Sequence, residues 1–182
     1  MRRSGGILVV ALCMLAAPAW GQGKAPSSTQ FGVKGIVLAG GQAYVEEADA
    51  YFDIDLSLGV GGSVDTRLGD KILGGAFIDG LNIRAYDESA MMIDGGIALK
   101  AALGGGGNRP TWRPGIGFGY GTLSGVAGLE SSHYFTVRAG VEAVLPSGWM
   151  AEAMAWASPS GGNADLTITF GPMLQLRVGH VF

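Results

Sequence analysis

The feature that most limits how this chain can fold is an alternation of apolar and polar residues with a period of two. In YFDIDLSLGV, residues 51 to 60, Phe52, Ile54, Leu56, Leu58 and Val60 share one parity, and Asp53, Asp55, Ser57 and Gly59 the other. Successive side chains of an extended strand point to opposite faces, so this period predicts a strand with one apolar and one polar side. The pattern returns in residues 94–103, where Ile97, Leu99 and Ala101 oppose Asp94, Gly96, Ala98 and Lys100. In 112–121, Trp112, Pro114, Ile116, Phe118 and Tyr120 oppose Arg113 and four glycines. In 133–144, Phe135, Val137, Ala139 and Val141 oppose Thr136, Arg138, Gly140 and Glu142. Residues 166–182 set Leu166, Ile168, Phe170, Leu174, Leu176 and Val178 on one face, to the last residue. Segments 31–45, 71–85 and 149–157 alternate less cleanly. Asp79 keeps parity only if a bulge near Gly80 resets the register. Glu152 points to the polar side only if Ala151, Ala153 and Ala155 form the apolar one. The facing of these three strands stays open.

Eight strands follow, linked by GGSVDTRLGD, GGGGNRPT and LPSG at one set of turns and VEEADA, YDESA, SGVAGLESS and SPSGGNAD at the other. An even strand count and a unit of about ten residues match an eight-stranded antiparallel up-and-down transmembrane β-barrel. A soluble barrel alternates too, with its apolar face inward, and the charges separate the two. The polar parity carries Asp53, Asp55, Asp94, Lys100, Arg113, Arg138, Glu142 and Arg177, four acids and four bases. Such balance suits the closed lumen of an eight-stranded barrel, which is just wide enough for side chains to fill. Unpaired charges there cost several kcal/mol. Glycines on the same parity (Gly115, Gly117, Gly119, Gly121, Gly140, Gly179) leave room for long arginines, whereas on a solvent face they only weaken a strand. Phe31, Trp112, Trp149 and Phe182 fall near one rim, and Tyr44, Tyr51, Tyr86 and Tyr120 near the other, as membrane-interface girdles do.

Composition fits this reading. Residues 1–21 read as a secretory signal: Arg2 and Arg3, an apolar run from Ile7 to Ala17, and Ala19-Trp20-Gly21 before a cleavage placed ahead of Gln22. A short periplasmic segment, 22–30, then leads into the barrel, 31–182. Cys13 is the one cysteine and lies inside the signal; it follows Leu12, not the small residue that lipidation requires. The processed chain is thus expected to have no disulfide and no cysteine metal site. Losing Arg2 and Arg3 leaves 10 basic against 15 acidic residues, a net charge of −5, which gives no basic surface for nucleic acid.

The alternating last strand closed by Phe182 resembles the C-terminal signature of bacterial outer-membrane barrel proteins, and PGIGFGYG resembles strands of the broad OmpA/OmpX/OmpW-like barrel grouping. The resemblance covers roughly residues 31–182, with His180 where that signature usually has an aromatic or apolar residue. It implies the outer membrane of a Gram-negative bacterium, with both chain ends in the periplasm. It implies outer-membrane lipids and lipopolysaccharide as surroundings, and the barrel-assembly machinery and periplasmic chaperones as partners during biogenesis. Phe182 would serve as the assembly signal. The second set of turns then faces outward with seven acids (Glu46, Glu47, Asp49, Asp87, Glu88, Glu130, Asp165) and no Lys or Arg, a surface that repels anionic partners unless cations bridge.

Catalysis has few candidates. The lipid A deacylase type of small barrel carries a His-x-Ser pair and a Glu, a nucleophile activated by a base. This chain has Glu130, Ser131, Ser132 and His133 in a different order and spacing. Asp53 with Asp55 could form an acid–base pair, but lumen salt-bridge partners are the favoured reading. Glu46, Glu47 and Asp49 could hold a divalent cation, and a solvated acidic loop is the favoured reading there. The expectation is a monomeric barrel with a structural or interaction role and a filled lumen, not an enzyme, with no cofactor. The alternatives are a narrow pore for small solutes and a lipid A-modifying enzyme.

Overall fold

The computed structural model describes residues 29–85, 88–125, 131–163 and 166–182, except for the side chains of Glu88 and Ser160. The signal segment with Cys13, and Tyr86, Asp87, Glu130 and Asp165, lie outside the described residues. Among the described residues, eleven strand segments occur: β1 (Thr29–Leu38), β2 (Gly41–Val45), β3 (Ala50–Ile54), β4 (Ser57–Arg67), β5 (Ile72–Ala85), β6 (Glu88–Ala101), β7 (Leu103–Gly104), β8 (Thr111–Ser124), β9 (Ser132–Val144), β10 (Trp149–Gly162) and β11 (Ile168–Val181). They make eight staves. β1 and β2 form one interrupted stave, β3 and β4 the next, and β7 is a short extension that pairs with β8. Each stave is antiparallel to its neighbours, and β1 pairs with β11 from Gly32↔Val181 to Leu38↔Gln175, which closes the barrel. Beyond Val181, the Phe182 N–H donates to the Phe31 carbonyl at 2.8 Å and the Phe31 N–H to the Phe182 carbonyl at 3.3 Å. With no free edge, every stave finds a partner for its backbone.

The barrel is inside out relative to a soluble one. Leu58, Ile78, Ile97, Ile116, Phe118 and Val178 lie exposed on the outer wall, while Arg113, Arg138, Glu142 and Arg177 are buried inside. Phe31, Trp112, Trp149 and Phe182 are exposed near the rim that carries both described chain ends; Tyr51 and Tyr120 are exposed toward the far rim. In a bilayer, where no water can serve backbone groups, a closed barrel with this outer face is a stable solution.

Two departures from the expected facing share one origin. Inward residues on β1 are even-numbered (Lys34, Ile36, Leu38), yet on β2 Ala43 is the buried one; on β4 they are odd (Ser57, Asp65), yet on β3 Ile54 is buried. The pairing of the two staves runs in constant register across the break, from Leu38↔Ser57 to Gly41↔Ile54. Gly40, at φ 95°, makes the turn in β1–β2; a Cβ there would sit 2.9 Å from the Ile54 carbonyl oxygen. Opposite it, the Asp55 N–H donates to the Arg84 carbonyl (2.8 Å) and the Ser57 hydroxyl accepts from the Arg84 N–H (3.0 Å). On β11 the inward parity likewise changes, from Ile168 and Phe170 to Met173, Gln175 and Arg177, across Gly171-Pro172. The single apolar faces expected for 51–60 and for 166–178 are therefore each split. The expected bulge near Gly80 is absent: β5 pairs with β4 and with β6 in unbroken register through Asp79.

The lumen as candidate functional site

Each stave sends at least one charge into the lumen. Lys34 comes from β1, Asp65 from β4, Asp79 from β5, Asp94 and Lys100 from β6, Arg113 from β8, Arg138 and Glu142 from β9, Glu152 from β10 and Arg177 from β11. Five cations meet five carboxylates. Nearest the chain-end rim, Arg113 donates to Glu142 (3.1 Å) and to the Gln30 side chain (2.8 Å), and Lys100 bridges Asp65 (2.8 Å) and Glu142 (3.2 Å). Deeper, Arg138 spans Asp79 (2.7 Å) and Asp94, and its guanidinium carbon stands 3.5 Å from the centre of the Phe77 ring. Arg177 pairs with Asp79 (2.8 Å) and Glu152 (3.6 Å), and Lys34 with Glu152 (3.3 Å). Asp94 also accepts from the Thr136 hydroxyl and, at 3.3 Å, from the Trp156 indole N–H. Mutual pairing of this kind lets charges stay ionised away from water.

Glycine on the facing stave makes the space. A Cβ on Gly117 would lie 2.9 Å from Arg138 Cγ, and one on Gly119 would lie 2.5 Å from both Asp94 Oδ1 and Thr136 Oγ1. Toward the far rim the lumen changes character. Ile36, Leu38, Ile54, Leu81, Met92, Leu123, Trp156 and Phe170 belong to one buried apolar cluster to which all eight staves contribute. Tyr134, Trp156 and Phe170 pack around one another with ring centroids 5.6–6.2 Å apart. The filling thus has two layers, charged below and apolar above.

Six of the eight lumen charges expected from sequence lie in this network: Asp94, Lys100, Arg113, Arg138, Glu142 and Arg177. Asp53 and Asp55 do not. Both are exposed at the far rim, and Asp53 accepts a hydrogen bond from Gln42 at 3.1 Å; the parity reversal between β3 and β4 turns them outward. Lys34, Asp65, Asp79 and Glu152 were missed. Asp65 was read as part of a turn, and the other three sit on the irregular strands. Glu152 does point inward, with Ala151, Ala153 and Ala155 exposed. Charge balance held the missing signal: without Asp53 and Asp55, four expected cations face only Asp94 and Glu142.

The other candidate groups are dispersed. Ser132 is buried toward the lumen, whereas His133 is exposed outside and stacks on Tyr120 at 5.8 Å. At the tip of the β2–β3 hairpin, Asp49 accepts from the Tyr44 hydroxyl at 2.9 Å. Glu47 accepts the Thr167 N–H on both oxygens at 2.8 Å, and this bond holds its carboxyl below the usual range. His180 lies beside Trp149 and Phe182, with ring centroids at 5.7 and 4.6 Å, and its Nε2 is 3.1 Å from the Ser147 carbonyl.

No family model and no curated protein matches the chain. Among solved structures it is similar to the outer membrane protein OprG from Pseudomonas aeruginosa, with a TM-score of 0.51 and 12% identity over 86% of this chain and 97% of that one. The N-terminal β-barrel domain of Pseudomonas aeruginosa OprF matches with a TM-score of 0.48 and 12% identity, covering 86% and 98% of the two chains. Ail, the attachment invasion locus protein of Yersinia pestis, matches with 0.48 and 14%, covering 86% and 99%. Eight staves, a closed seam, an apolar outer wall and a charged interior define the class: a small transmembrane β-barrel. In fold it is an eight-stranded antiparallel barrel, similar to that of the outer membrane protein OprG.

Proposed function

We propose that this protein is a non-conducting outer-membrane barrel with a structural or interaction role, not an enzyme and not a pore. The observation that carries the reading is the lumen, where five cations and five carboxylates on all eight staves are paired beneath an apolar layer, all of them buried except the half-buried Glu152. The chain-end rim faces the periplasm and the acidic hairpin β2–β3 faces outward. A monomer surrounded by lipid and lipopolysaccharide suffices for such a role, and assembly machinery and chaperones act only while the barrel is made. Against catalysis stands the placement of Ser132 and His133 on opposite sides of the wall.

Conductance of the purified barrel in a planar bilayer tests the reading. We expect a closed membrane. Steady ion-conducting steps would overturn it in favour of a narrow pore, and altered lipid A masses in cells expressing the protein would favour an enzyme.

A further inference from the structure

Two cavities of about 20 Å³ each lie inside the charged half of the lumen. One is lined by Arg113, Arg138 and Glu152 among others, the second by Lys34, Arg138, Glu152 and Arg177 among others, and both touch Lys100 and Ala98. Each exceeds the ~10–15 Å³ that one water requires. The same arginines carry buried polar atoms with no protein partner: the Nε–H groups of Arg113, Arg138 and Arg177, together with Asp79 Oδ1. The three arginines with unpartnered donors all line these cavities, beside the carboxylate of Glu152, and donors next to an acceptor in spaces that fit single waters match water chemistry. Exposure also rises toward the chain-end rim, from 1% at Arg177, Asp79 and Asp94 to 6–7% at Arg113 and Lys100. The buried apolar cluster of the far half contains no charged side chain, and Leu38, Met92, Leu81 and Trp156 are at most 1% exposed there; Gln175, on the rung opposite Leu38, marks the boundary with a further unpartnered amide nitrogen.

We propose that the charged half is a hydrated blind vestibule binding individual waters, and that the apolar layer around Trp156 and Phe170 alone bars ions from crossing. This deepens the reading of a non-conducting barrel and rests on it. Hydrophobic constrictions close pores by excluding water, without any need for a salt bridge as gate. An ion reaching Arg138 from the chain-end rim would still meet a neck lined mainly by apolar side chains, which cannot replace its hydration shell.

The test compares two interior variants in planar bilayers, each first shown to be folded by its heat-dependent gel mobility. Trp156→Ala with Phe170→Ala opens the neck, and resolvable channel steps are expected. Arg138→Met with Asp94→Asn removes the central charge pair and leaves Arg177 with Asp79; it should stay closed. If the aromatic variant fails to fold, Met92→Gln replaces it as a milder wetting of the same layer. A closed neck variant, or an open charge variant, would overturn the proposal, whereas a conducting wild type would instead overturn the non-conducting reading beneath it. Hydration has its own readout. In the barrel starting at Gln22, which has no cysteine of its own, Ala98→Cys should react with silver ion in the folded state, and a thiol inert until denaturation would refute the vestibule.

Discussion

Arg138 shows what a single residue does in this lumen. It reaches from β9 to Asp79 on β5 and Asp94 on β6, and it stands over the Phe77 ring. Replacing it by Met removes one cation and leaves Asp94 without a cation, held only by the hydroxyl of Thr136 and the indole of Trp156. Breaking a fully desolvated pair from one side typically costs about 3–5 kcal/mol, and less where water reaches the stranded charge, so with waters beside Arg138 we expect a measurable loss below that range in urea unfolding of the refolded barrel. Arg138→Met combined with Asp94→Asn should recover part of it, since the stranded charge goes too. Strictly additive losses would mean that the two residues do not act as a pair. Arg138 was legible in the sequence because the apolar parity around it, Val137 and Ala139, is clean. Asp79 was not, because its inward neighbours Phe77 and Leu81 are apolar and imitate an outer face.

At the scale of elements, the β2–β3 hairpin is tied to the start of β11. Three rungs join β2 to β11, from Ile168↔Val45 to Phe170↔Ala43, and Glu47 adds a side-chain clasp on the Thr167 N–H. Folding lowers the pKa of Glu47 through that bond. Its contribution is therefore complete above the ordinary carboxylate range and fades as pH falls through the lowered value. We expect the hydrogen-exchange protection of the Thr167 amide, corrected for intrinsic rate, to drop over that acid window in the wild type. In Glu47→Gln it should be lower at neutral pH and flat. A pH-independent wild-type amide would rule out the clasp. The hairpin's strands were foreseeable from alternation, but its facing was not. A reversal that needs Gly40 on one strand and a break at Asp55-Leu56 on the other leaves no mark in a parity count, which assumes that the pleat is continuous.

For the whole molecule, closure was the part most plainly written in the chain: alternation through Val178 predicted a paired last strand, and β11 pairs with β1 almost to its end. Phe182 contributes both its backbone groups to that seam and an exposed ring beside His180. Phe182→Asp retains the backbone bonds while removing the ring. We expect it to lower the amount of assembled barrel in cells much more than it lowers unfolding stability after refolding in detergent. Equal losses in both assays would assign the ring to packing alone. What the sequence did not disclose is the two-layer filling, because an inward apolar residue and an outward one look alike in a list of residues. Only the three-dimensional parity separates Leu38 from Val37.

The neutrality of the interior also constrains how such a chain can change over generations. On the outer wall one aliphatic residue can stand in for another, since lipid makes no demand on shape beyond apolarity. Inside, Asp79 answers to two arginines and Glu142 to a lysine and an arginine, each from a different stave. A charge lost at one position leaves a debt at another far away in sequence. A viable substitution there therefore calls for a compensating one on another stave.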